Sequence, residues 1–329
     1  MIEGIRRIQE LMEQQGYVTD RAIATTVFLA MELRKPILIE GPAGVGKTEV
    51  AKVLAAALET RLIRLQCYEG LDVNTALYEW NFPKQMLRMK MEEDGLLTPD
   101  EKERLIFSEA FLFKRPLLQA ITEIDRSPVL LIDEIDRADE EFEAFLLEVL
   151  SDFQVTIPEL GTVAATHRPY VALTSNRTRE LSDALKRRCL YLWIEYPTFE
   201  KEVRIIRNKV PGINEQLATQ IAAFMQVARR LKLSKVPGIA ETLDWALSMI
   251  ALHQDHLDAE AVSETLGCIM KDREDIVRYA GPRITAIVES LGELPPEELP
   301  SAQDRVLSSL GEPTSSFPLP LDGGGRGRG

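Results

Sequence analysis

Apolar side chains recur every three or four positions in two early stretches, 2–15 and 20–33, a pattern that predicts two helices. Gly16 stops the first, and Thr19 or Asp20 caps the second. Ile37, Leu38 and Ile39 then form an unbroken apolar run, which predicts a buried strand, before helical spacing returns over 49–58. Residues 61–65 predict a second strand. A polar and aromatic insert, about 66–104, follows it, with helices expected at 71–80 and 83–91. Helical spacing covers 107–124, a fully apolar strand 129–132, and a strongly amphipathic helix 140–150. Segments 153–157 and 162–165 flank Pro158-Glu159-Leu160-Gly161, a hairpin signal, and 170–174 and 190–194 supply two more strands. Beyond 198 the periodicity is helical almost to 290, broken at Pro211-Gly212 and Pro237-Gly238. The organisation expected is therefore an α/β domain over 1–197, an all-helical domain over 198–290, and a disordered tail over 291–329 that closes on glycines and two arginines. That tail reads as an inert end rather than as a segment that touches RNA or an acidic partner.

The strand at 37–39 runs into Gly41-Pro42-Ala43-Gly44-Val45-Gly46-Lys47-Thr48, with Glu49 in the first turn of the next helix. A strand, a glycine-rich loop and a helix in that order make a phosphate cradle. Glycines let successive N–H groups turn inward, the helix N-terminus adds its positive end, and Lys47 adds a mobile charge. Thr48 offers its hydroxyl to Mg²⁺. An ordinary glycine turn needs no Lys-Thr pair at that place. The apolar run at 129–132 ends in Asp133-Glu134, where a buried strand would meet solvent at its carboxyl end. Asp133 is placed to hold Mg²⁺, partly through water, and Glu134 to orient and polarise an attacking water. The bland alternative is a pair of solvated acids that starts a helix.

Composition narrows the setting. The 329 residues are 45% hydrophobic, enough for about two cored domains. A formal net charge of −13 argues against nonspecific attraction to nucleic acid or to an anionic membrane. Cys67, Cys189 and Cys268 have no paired spacing for zinc and read as buried small residues in a reducing, cytoplasmic setting. No apolar stretch suggests export or membrane insertion.

Thr174-Ser175-Asn176 closes the 170–174 strand, where Asn176 can bond both a γ-phosphate and the attacking water. Leu185-Lys186-Arg187-Arg188-Cys189 sets two arginines just before the last strand, ill placed for their own nucleotide and suited to a neighbouring subunit's. In order, these elements resemble the Walker A, Walker B, sensor 1 and arginine-finger elements of AAA+ ATPases. Leu131-Ile132-Asp133-Glu134-Ile135-Asp136-Arg137-Ala138 is similar to the DEIxRA signature of the MoxR family. Three peptides resemble the CoxD-like branch found with carbon monoxide dehydrogenase accessory genes: Gln66 to Asp72, Ala76 to Asn81, and Ala240 to Trp245. The resemblance implies a P-loop AAA+ core, its parallel sheet sandwiched by helices, followed by a helical lid. It also implies a chaperone-like ATPase, usually a hexameric ring, working with a von Willebrand factor A-domain protein on a client metalloenzyme. Carried over residue by residue, Lys47 contacts the β- and γ-phosphates, Thr48 and Asp133 hold Mg²⁺, Glu134 holds the water and Asn176 senses the γ-phosphate. Arg188, or failing that Arg187, acts in trans. Arg137 faces a subunit boundary or pairs with a nearby acid.

One departure stands out: the stretch where many AAA+ lids carry a sensor 2 arginine reads Pro237-Gly238-Ile239-Ala240-Glu241. It motivates a second class of function, an ATP-dependent switch with little turnover. A DNA-acting loader is a third, disfavoured by the acidic balance, and no NKxD-like guanine motif supports a GTPase. His253 and His256 read as a solvated face rather than a metal site. Tyr78, Trp80 and Phe82 join the core, dock a client or stack on a base. The 153–165 hairpin either lines a ring pore or covers the sheet edge.

Overall fold

The computed structural model describes residues 2–92, 97–295 and 297–310, and the chain divides into two compact units at Glu195 and Tyr196. Among the described residues the first unit holds nine strands: β1 Ile37–Glu40, β2 Leu62–Gln66, β3 Tyr78–Trp80, β4 Leu112–Lys114, β5 Val129–Asp133, β6 Gln154–Ile157, β7 Gly161–Ala164, β8 Tyr170–Ser175 and β9 Leu190–Trp193. Five of them form a parallel sheet in the order β2-β5-β8-β1-β9. Parallel neighbours need long crossovers, and the helices that make these crossovers cover both faces. On one face Leu38, Ile63, Leu65, Leu130, Ile132 and Leu173 pack with Leu117 and Leu118 of helix Pro116–Ile121 and Phe142 and Leu146 of helix Glu140–Asp152. On the other, Ile37, Val129 and Ala172 meet Val27 of helix Arg21–Leu33 and Val50 and Leu54 of helix Lys47–Ala57. That is why β1, β5 and β8 read as continuous apolar runs. Asp20 caps its helix as expected, accepting the Ile23 N–H at 2.9 Å.

Two expected helices are replaced by a small sheet. Residues 71–80 give only a short helix, Val73–Leu77, before β3. Residues 107–124 give a 3-10 turn at Glu109–Phe111, then β4, then helix Pro116–Ile121. β3 and β4 pair antiparallel, with Trp80 opposite Leu112, a contact between distant segments that overrides local helical spacing. Pro116, which cannot donate an N–H inside a helix, fixes the later start. Trp80, 8% exposed, lies edge-on to Phe107 with centroids 5.3 Å apart, so it belongs to the core. Phe82 is 61% exposed and shares the outer face of helix Phe82–Met91 with Met86 and Met89. A further helix, Pro99–Ile106, is closed by a capping box between Thr98 and Glu101. The hairpin forms as β6–β7, with Val155 and Ile157 turned into the core.

The second unit is helical. Its helices Phe199–Lys209, Glu215–Ala228, Ile239–Ala251, Ala259–Ile269, Arg273–Tyr279 and Pro282–Gly292 surround Phe224, Trp245 and Tyr279. Glu202 and Arg229 are buried together as a two-bond pair at 2.6 Å each, and Thr242 donates to Glu202 at 2.9 Å. Here the expected tail is corrected in part. Leu299, Ala302, Val306 and Leu307, from the turn Leu299–Ser301 and helix Ala302–Ser309, are buried in this core. The glycine- and arginine-rich end lies outside the described residues.

Candidate nucleotide site

β1, β5 and β8 end side by side, because Glu40 is in register with Ser175, Ile132 with Leu173, and Gln66 of β2 with Asp133. This register carries the loop at 41–48, the acid pair and the Thr174–Asn176 cluster to one edge of the sheet. The loop is built on left-handed glycines. Gly41 stands at φ 152°, and a Cβ there would lie 2.1 Å from the Ile194 carbonyl oxygen, so glycine is required. Gly44 and Gly46 also have positive φ, and Gly46 caps helix Lys47–Ala57 without a side-chain hydrogen bond, at the end that adjoins the loop. Pro42, Ala43 and Val45 complete the turn, with Val45 buried.

Lys47 is buried. Its Nζ donates to the carbonyls of Gly41 at 2.8 Å and Pro42 at 2.6 Å. Burial pushes its pKa down to about 8, against the opposing field of Asp136, Asp133, Glu134 and Glu40. Thr48 donates its hydroxyl to Asp133 Oδ1 at 3.0 Å, so the two expected Mg²⁺ ligands are adjacent. A carboxylate beside a hydroxyl is an oxygen donor set that suits Mg²⁺, and the residues present fit the metal. Glu49 lies in the first helical turn, where its carboxylate pairs with Lys52 at 3.5 Å.

Glu134 adopts a left-handed conformation, φ 56°, at the end of β5. Its backbone N–H donates to Thr174 Oγ1 at 2.9 Å, and Thr174 donates in turn to Asp133 Oδ1 at 2.5 Å. One buried hydroxyl on β8 thus aims both acids. The Glu134 carboxylate accepts from Gln66 Nε2 at 3.0 Å and from Arg137 at 3.3 Å, which gives Arg137 an acid partner. Asn176 follows Thr174 and lines an open pocket of about 680 Å³ with Glu134, Asp136, Arg137 and Thr178. Its backbone N–H donates to Asp136 Oδ2 at 3.2 Å, and the Thr178 N–H to the same oxygen at 2.8 Å. Asp136 Oδ1 is buried with no hydrogen-bond partner among the described residues.

The structure adds residues that the motif reading passed over. Arg64 on β2 grips Asp133, and Gln66, two positions on, reaches Glu134. The available signal was the pair of polar residues at i and i+2 on a strand destined to neighbour β5. Thr174 was visible in its cluster but not as the shared anchor. Cys67, beside the site, has its thiol pushed up to about 12 by burial and by Asp133. Arg187 and Arg188 are exposed at the end of helix Asp183–Arg188, and Arg188 Nε donates to Ser151 Oγ at 3.1 Å. His253 and His256 are exposed, and among the described residues no group of three or more His, Cys, Asp or Glu is arranged for a metal. Nor is any described helix long and apolar enough to cross a membrane.

Sheet order, loop and acid pair together define a P-loop nucleotide-binding fold of the AAA+ kind. The family described as "AAA domain (dynein-related subfamily)" matches residues 36–189, the stretch that carries the sheet, the loop and the acid pair. An uncharacterized protein of Staphylococcus haemolyticus is 26% identical over 243 residues, covering 70% of this chain and 81% of that one. One of Staphylococcus aureus is 25% identical over 235 residues, covering 68% and 78%. Among solved structures, the RuvB Holliday junction branch migration motor of Thermotoga maritima aligns at 19% identity with a TM-score of 0.43, covering 92% of this chain and 88% of that one.

Proposed function

We propose that this chain is a Mg²⁺-dependent ATPase of the MoxR type that converts ATP and water to ADP and phosphate and uses the cycle to remodel a protein complex. The observation that carries the reading is the convergence of Lys47, Thr48, Asp133, Glu134 and Asn176 on the ends of three neighbouring strands, with Thr174 holding both acids. Lys47 exchanges its two carbonyl partners for the β- and γ-phosphates, where its charge is worth more. Mg²⁺ held by Thr48 and Asp133 would supply neutralising charge for the phosphate oxygens. Glu134 orients the attacking water and takes up its proton, and Asn176 positions that water against the γ-phosphate. The transition state also asks for a positive charge from outside, and Arg188, with Arg187 beside it, is the candidate to give it to an adjacent subunit of a hexameric ring. The MoxR-like peptides extend the proposal to a von Willebrand factor A-domain partner and to a client metalloenzyme, in a cytoplasmic setting.

A second reading, an ATP-driven switch with little turnover, is favoured by one feature: the Glu134 carboxylate is engaged by Gln66 and Arg137. Glu134→Gln separates the two. Under the ATPase reading the variant binds ATP within about threefold of wild type and loses roughly a hundredfold or more of its turnover, since it lacks the general base. Phosphate release and fluorescent-nucleotide titration measure both, and an equal, slow rate in both proteins supports the switch.

A further inference from the structure

Arg64 makes the strongest contact at the site that phosphoryl transfer does not require. It reaches from β2 to Asp133 on β5 with Nε at 3.0 Å and Nη2 at 2.6 Å, both on Oδ2. The other oxygen, Oδ1, accepts from Thr48 at 3.0 Å and Thr174 at 2.5 Å. Asp133 is therefore saturated by donors and balanced by a full positive charge although it is 3% exposed. A carboxylate so deeply placed needs a counter-charge. Arg64 differs from its partner in being 51% exposed, so it can let go into water at small cost, and Gln66 Oε1 accepts its Nη2 at 2.5 Å as an alternative partner.

We propose that Arg64 is a built-in counter-ion of Asp133 that competes with Mg²⁺ for this carboxylate and thereby sets how strongly ATP binding depends on the metal. The proposal rests on the Mg²⁺-ATP reading of the site. Two cations on one buried carboxylate repel, so Asp133 serves one of them well at a time. With Arg64 in place, the Asp133 charge is screened from the phosphates of metal-free ATP. Removing Arg64 exposes that charge and weakens binding of metal-free ATP, while it removes a competitor and strengthens binding of Mg²⁺-ATP. Both changes raise the ratio of the Kd in EDTA to the Kd in MgCl₂.

The test is titration of wild type, Arg64→Gln, Arg64→Lys and Lys47→Ala with a fluorescent ATP analogue under both conditions. Loss of charge-assisted bonds of this kind predicts a ratio about tenfold or more above wild type in Arg64→Gln. Arg64→Lys keeps the charge without the two-bond fork and falls in between. A ratio within about twofold of wild type in Arg64→Gln overturns the competition, because a charged contact with no bearing on the metal moves both constants together. Wild-type protein that binds no nucleotide in either condition, as expected of Lys47→Ala, sinks the Mg²⁺-ATP reading itself, and the two failures are thereby told apart.

Discussion

Lys47 carries the pH dependence of the site at the residue scale. Its pKa sits near 8 because burial disfavours the ammonium. Bound phosphates favour the ammonium and raise that value, so ATP binding takes up a proton above pH 8. Affinity is accordingly insensitive to Lys47 below pH 8 and weakens by up to about tenfold per unit above it. Isothermal titration at pH 8.5 in buffers of different ionisation enthalpy measures the proton uptake, and uptake close to zero would show that Lys47 is already fully charged. Gly41 teaches a different lesson: its glycine was legible as part of a motif, yet the reason for it is the Ile194 carbonyl beside β9, more than 150 residues away in sequence.

Among the elements, the end of β8 holds the acid pair at the end of β5. Thr174→Val keeps the shape of the side chain but leaves the Glu134 N–H without its acceptor and Asp133 without one of its donors, at a cost of about 1–3 kcal/mol. The expected outcome is a loss of roughly tenfold or more in kcat with ATP affinity little changed, and recovery in Thr174→Ser, which keeps the hydroxyl. If Thr174→Ser is as impaired as Thr174→Val, the hydroxyl is not what matters. The strands of the main sheet were legible because burial on both faces writes an unbroken apolar run. The small β3–β4 sheet was not, since its two short strands are 31 residues apart and each reads as helix by itself.

For the whole molecule, the question is whether one chain makes a complete site. Arg187 and Arg188 are exposed and end the helix that leads into β9, the edge strand beyond β1. If Arg188 serves a neighbour, Arg188→Ala and Lys47→Ala are each inactive alone, and their mixture regains part of the ATPase, because a site with both intact groups forms where the subunits meet. No recovery at any mixing ratio would confine Arg188 to its own chain. Light scattering of Glu134→Gln with Mg²⁺-ATP gives the matching measure of assembly, a discrete mass near six subunits.

The sequence determined the parts whose chemistry is local: the glycine loop with Lys47 and Thr48, the buried strand that ends in Asp133 and Glu134, and the helical second unit. A phosphate cradle needs its residues at fixed spacing on consecutive elements, and so it can be read from a line of letters. Tertiary structure alone decided which residues govern those acids. Thr174 on β8 and Arg64 and Gln66 on β2 lie far from the acids in the chain and meet them through strand order and register. Local periodicity holds no record of which strand lies beside which, because parallel neighbours in this sheet are joined by crossovers through helices and an insert.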